Sequence, residues 1–98
     1  MSDIIGLRVS EKDNTAVVFS EDVKEHDTLH VRDQKGDIQK IDLLSSIPYG
    51  HKVAVRPIEV GSPILKYGEE IGVATHDIKV GEHVHVHNLD SQRSRGDK

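Results

Sequence analysis

The chain contains no cysteine and no tryptophan, and only one phenylalanine, two tyrosines and three prolines among its 98 residues. Without cysteine it can form no disulfide, hold no iron–sulfur cluster and offer no thiolate nucleophile. A reducing, cytoplasmic setting is the expectation that fits. With so few aromatic side chains the core must be built from Val, Ile and Leu. No apolar run approaches the ~20 residues of a membrane span. Met1-Ser2-Asp3-Ile4 lacks the basic and apolar regions of a secretory signal, so no membrane is expected as a partner. Thirteen Lys and Arg against seventeen Asp and Glu leave a net charge of -4. Nothing forces a basic face, and nucleic acid is not an expected partner. Ser/His/Asp order, a P-loop and a Rossmann glycine pattern are all missing.

The length fits one small domain, which buries only about 60–65% of its extended surface. That is too little for a deep enclosed pocket, so an active site here should be shared with another chain. Residues 1–90 read as the domain. Residues 91–98 carry no apolar side chain and read as a flexible tail. Residues 1–45 hold ten acidic and six basic side chains, while residues 46–98 hold seven of each. Five of the seven histidines lie in that second half.

Strand signals dominate, and the fold class expected is all-β. Ile4–Val9, Thr15–Phe19, Thr28–Arg32, Ile38–Leu43, Lys52–Arg56 and Pro63–Lys66 are short apolar or alternating segments. Glu70–Ala74 pairs back on Pro63–Lys66 through Tyr67-Gly68, with Gly68 supplying a positive φ. His83–His87 is the last expected strand. A single turn of helix around Ile41–Ser46 is the one helical expectation.

One pattern organises the chain. Ile47-x-x-Gly50-x-x-Val53-x-Val55 recurs from Ile58 with Gly61 and Ile64, and from Ile78 with Gly81, Val84 and Val86. A weaker copy starts at Val23 with His26, Leu29 and Val31. An apolar anchor, a turn with glycine at φ > 0, and a strand returning to the core explain the spacing. The separations are unequal, so the copies suit a folded-over sheet and not a solenoid.

His83-Val84-His85-Val86-His87-Asn88 carries the most chemistry. On a strand, Val84 and Val86 face the core and the three histidines the other side. Alternate histidines about 7 Å apart can chelate one ion, with His83 and His85 as candidates. His83 and His87, about 13 Å apart, cannot easily share it. A solvated polar face, a shared catalytic site and a self-contained metal site all remain open on spacing alone. His51, after Gly50 and beside Lys52, sits at a corner where exposure alone would explain it. Lys66-Tyr67-Gly68 is either turn chemistry or a cationic group for a carboxylate. His26, His30 and His76 have no partner pattern and read as surface residues.

Three segments carry a resemblance: Ile47-Pro48-x-Gly50-His51-Lys52-Val53-Ala54, then Ile64-x-Lys66-Tyr67-Gly68-x-x-Ile71-Gly72, then Gly81-Glu82-His83-Val84-His85-Val86-His87-Asn88. Together they resemble the N-terminal SAF-type domain of the altronate/galactarate dehydratases, from about Ile5 to Asn88. The resemblance implies a β-clip fold and the small subunit or N-terminal domain of a sugar-acid hydro-lyase. Such a chain would contribute part of an active site, or a lid, to a large catalytic subunit, and would be inactive alone. The small subunit of sulfolactate sulfo-lyase is similar and competes. A non-catalytic carbohydrate- or metal-binding β-clip module is the third reading. The family implies a divalent metal, commonly iron(II), bound here or by the large subunit. The motif positions make His51, His83, His85 and His87 the catalytic candidates. Lys52, Lys66, Tyr67 and Asn88 are the candidates for holding a sugar acid.

Overall fold

The computed structural model describes residues 4–85 and 87–90. These residues form nine short strands and no helix: β1 (Ile4–Leu7), β2 (Thr15–Val18), β3 (Thr28–Arg32), β4 (Ile38–Asp42), β5 (Lys52–Ala54), β6 (Pro63–Lys66), β7 (Glu69–Ala74), β8 (His83–Val84) and β9 (Leu89–Asp90). A six-stranded sheet runs in the order β4-β3-β1-β2-β5-β8, and a three-stranded sheet in the order β6-β7-β9. Every pairing is antiparallel except β1 with β3. The all-β expectation therefore holds, as small curled sheets of short strands. The tail expected over residues 91–98 lies outside the described residues.

The repeated pattern becomes four copies of one corner. Lys24–Asp27, Pro48–His51, Glu59–Ser62 and Lys79–Glu82 are each closed by a hydrogen bond from the last N–H to the first C=O, 2.9–3.1 Å long. The third residue of each has positive φ: His26, Gly50, Gly61 and Gly81. A type II turn requires this conformation there, and it favours glycine. The same third residue donates its N–H to a carbonyl of another segment: His26 to Leu43, Gly50 to Val18, Gly61 to Ala74 and Gly81 to Ala54. The apolar anchors meet in pairs, with isolated antiparallel bridges joining Val23 to Ile47 and Ile58 to Ile78. All four anchors are buried, the first pair in one core cluster and the second in another. Val18, Leu29, Val53 and Val55 fill out the first cluster, and Ile64, Ala74 and Val84 the second.

Two expectations change. No helix forms at Ile41–Ser46. Ile41 and Asp42 are paired in β4, and the N–H groups of Leu43 and Leu44 go to the carbonyls of Asp27 and Gly81, so no local ladder remains. The last strand does not run from His83 to His87 either. It ends at Val84, the chain turns, and β9 begins at Leu89 in the other sheet. The Asn88 side chain competes with the ladder by bonding the backbone of this segment. Val84 is buried as its alternation predicts, while Val86 lies outside the described residues.

Candidate metal and acid–base site

The site lies where two corners distant in sequence, both in the second half of the chain, converge. The corner at Gly50 delivers His51 and β5, and the corner at Gly81 delivers β8. β5 and β8 pair with Lys52 opposite Val84 and Val53 opposite His83. Val18 N–H binds the His51 carbonyl at 2.9 Å and extends the β2–β5 ladder past its last strand residue. His51 and His83, 32 residues apart, thereby come within 2.9 Å, Nδ1 against Nε2. One of these nitrogens must carry the proton and the other a lone pair, so the pair holds best with one proton between them.

His85 and His87 complete the group. The His51 and His85 rings stack at 4.3 Å between centroids, and those of His83 and His85 at 5.6 Å, nearly parallel. His87 is exposed, with its ring 5.2 Å from that of His83. A ligand nitrogen from each of His51, His83 and His85 lies within 4.8 Å of the other two. The sequence spacing puts forward His83 and His85 as chelators of one ion, and the third nitrogen here comes from His51.

Burial and mutual repulsion disfavour the charged forms of His83 and His85. The His83 imidazole is pushed down to about 4, first by burial and then by His51, His87, His85 and Lys52. His85 is lowered by burial, then by His51, Lys52 and His87. Lys52, half-buried, is lowered by burial and then by Lys66. Neutral imidazoles are the form that binds metals. Three of them without a carboxylate suit a borderline divalent ion such as iron(II) or zinc. The donor set thus fits the kind of ion that the resemblance implies.

The remaining candidates divide. Lys66 is partly buried near Lys52, with its Nζ 5.0 Å over the Tyr67 ring, and Tyr67 is exposed at the hairpin tip. Tyr67 and Gly68 both have positive φ, as a two-residue hairpin turn of this kind requires. Asn88 is 2% exposed, and its amide serves the backbone of His83 and His85. Asp13 went unseen in the sequence. It is 1% exposed and accepts the N–H groups of Ser10, Tyr67 and Gly68 at 2.7–3.1 Å. Its only sequence signal is a place in a turn cluster, because the partners at the hairpin tip lie 54 and 55 residues away. His26 and His76 are exposed as expected. His30 departs from expectation: it sits in β3, partly covered, with its Nδ1 buried and unpartnered among the described residues. Among the described residues no helix is long and apolar enough to cross a membrane.

Comparison with known proteins gives a consistent picture. Residues 5–92 match the family described as the altronate/galactarate dehydratase SAF domain. Altronate dehydratase of Bacillus subtilis is 33% identical over 88 residues, which is 90% of this chain and 16% of that protein. Altronate dehydratase of Escherichia coli is 37% identical over 82 residues, 84% of this chain and 15% of that protein. The (2R)-sulfolactate sulfo-lyase subunit alpha of Paracoccus pantotrophus is 45% identical over 49 residues, half of this chain and 73% of that subunit. The chain thus spans about a sixth of the altronate dehydratases it matches, and the matched segment covers most of the sulfo-lyase subunit.

Proposed function

Because the chain belongs to the altronate/galactarate dehydratase SAF-domain family, we propose that it is the small subunit or N-terminal domain of a sugar-acid hydro-lyase. It contributes a histidine half-site that a large catalytic chain closes. The observation that carries this reading is the convergence of His51, His83 and His85 within 4.8 Å. An apparatus of this kind is more than a β-domain needs for its own stability, since clustered half-buried imidazoles repel when charged.

The reaction is an elimination from a 2-hydroxy acid. A proton leaves the carbon beside the carboxylate, and hydroxide leaves the neighbouring carbon. His51, His83 and His85 would hold a divalent metal, iron(II) in the family's pattern, which as a Lewis acid would stabilise the developing enediolate. His87, outside that triple and exposed, is placed to take or return a proton. Lys52 and Lys66 offer positive charge to a substrate carboxylate, and Tyr67 borders them at the hairpin tip. The large chain supplies the other wall of the site and the remaining acid–base groups. This division of labour, and a cytoplasmic location, belong to the proposal.

A second reading has its own support. The matched segment covers most of the sulfo-lyase subunit alpha at higher identity, so sulfite in place of hydroxide could be the leaving group. Reconstitution with the large chain decides between the two. The complex is assayed on altronate, galactarate and sulfolactate with ferrous iron, beside the isolated small chain. Turnover only in the complex is expected, and the substrate turned over names the branch. Turnover by the small chain alone would refute the half-site.

A further inference from the structure

We infer that Asn88 is a positioning residue, a brace that folds the His83–His87 segment so that its imidazoles meet His51. The inference rests on the histidine half-site proposed above and adds the element that shapes it. An extended strand would set the Cα atoms of His83 and His87 about 13 Å apart. The chain instead turns after Val84, and the rings of the two residues lie 5.2 Å apart.

Asn88 makes three hydrogen bonds to the turn. Its Oδ1 accepts the His85 N–H at 3.0 Å, and its Nδ2 donates to the His83 carbonyl at 2.9 Å. Its own N–H donates to the His85 carbonyl at 2.9 Å. Its carbonyl in turn accepts Thr75 N–H at 2.9 Å, which ties the brace to the end of β7. The side chain must present one acceptor and one donor a single methylene from the backbone. Among side chains of this length only an amide does so. Aspartate offers acceptors alone and would meet the His83 carbonyl with charge. Glutamine is one methylene too long. Buried at 2% exposure, Asn88 acts on the imidazoles through their backbone and not by touching a substrate.

The test compares the wild-type chain with Asn88→Asp and Asn88→Ala. Metal-free NMR reads the ring-to-ring contacts among His51, His83 and His85, and the methyl spectrum of the core valines reads the fold. Cobalt(II) titration, followed by its visible absorption, reads the donor set. Both variants should keep the core spectrum, lose the ring contacts and bind cobalt about 10–100-fold more weakly, the scale for groups that orient metal ligands. Unchanged ring contacts and cobalt affinity in both variants would overturn the brace. Collapse of the core spectrum in both would also overturn it, in favour of a general structural role. A wild type that ignores cobalt, with ring contacts still lost in the variants, would refute the metal site and support the brace.

Discussion

The corners at Gly50 and Gly81 share a backbone with those at His26 and Gly61, yet they lead to different things. Each is a four-residue turn with positive φ at its third position, followed by a strand. After Gly50 and Gly81 the chain presents His51-Lys52 and Glu82-His83, and the two strands pair. After His26 and Gly61 it presents Asp27-Thr28 and Ser62-Pro63, on strands β3 and β6 that belong to different sheets. Chemistry therefore does not follow from the corner itself. It follows from which two corners are brought edge to edge, and here the β5–β8 pairing does that.

The comparison breaks most severely at Gly81. A Cβ there would run into the backbone carbonyl of Asp42, whereas one on Gly50 or Gly61 would meet nothing within 4 Å. Gly81→Ala should destabilise by about 3 kcal/mol or more, because a fixed clash is added to the left-handed strain. Urea denaturation measures this, and a loss under 1 kcal/mol would show that the corner yields easily.

Next in size is the loss of a histidine at the convergent corners. His51→Ala and His85→Ala should each lower elimination by the reconstituted complex about 100-fold or more, with assembly intact. His76→Ala should change nothing. Equal activity in all three variants would reduce the cluster to a polar surface or a lid.

The same cluster sets a pH dependence. His83 titrates near 4 in the folded chain and near 6.5 when unfolded. Between these values the unfolded state binds more protons, so the metal-free chain should lose stability as pH falls from about 6.5 to about 4. His83→Gln should flatten that part of the curve, and chemical denaturation at several pH values reads the slope.

Smaller effects distinguish the open corners. Gly50→Ala and Gly61→Ala should each cost roughly 1 kcal/mol, from backbone strain alone. His26→Gly should do the reverse and stabilise by about 0.5–1 kcal/mol, since His26 holds φ 77° with its side chain in solvent. Thermal melts of the three variants side by side would show whether one strain term serves all the corners.

Much of this was legible in the residues. The alternation of Thr28–Arg32, the hairpin at Tyr67-Gly68 and the glycines of the repeat all reflect local rules, in which side-chain period and φ follow from a few neighbours. The site was legible only in part. His83 and His85 announce themselves by spacing, but their meeting with His51 depends on a strand pairing across 32 residues that no local pattern encodes. The end of β8 was misread because period-two alternation continues through Val86, while a side chain four residues beyond Val84 redirects the backbone. Asp13 stayed hidden for the same reason: two of its three N–H partners, Tyr67 and Gly68, reach it only after folding.

One feature of the topology reaches further. β8 lies in the six-stranded sheet and β9 in the three-stranded sheet, and the histidine turn is the thread that passes between them. A ligand gripping His51 and His85 would pin the start of that crossing to β5, and Asn88, whose carbonyl holds Thr75 N–H at the end of β7, would carry the restraint on to the second sheet. Because the ligand would bind only the joined form, it should slow amide hydrogen exchange well away from the imidazoles, in β7 as much as in β5.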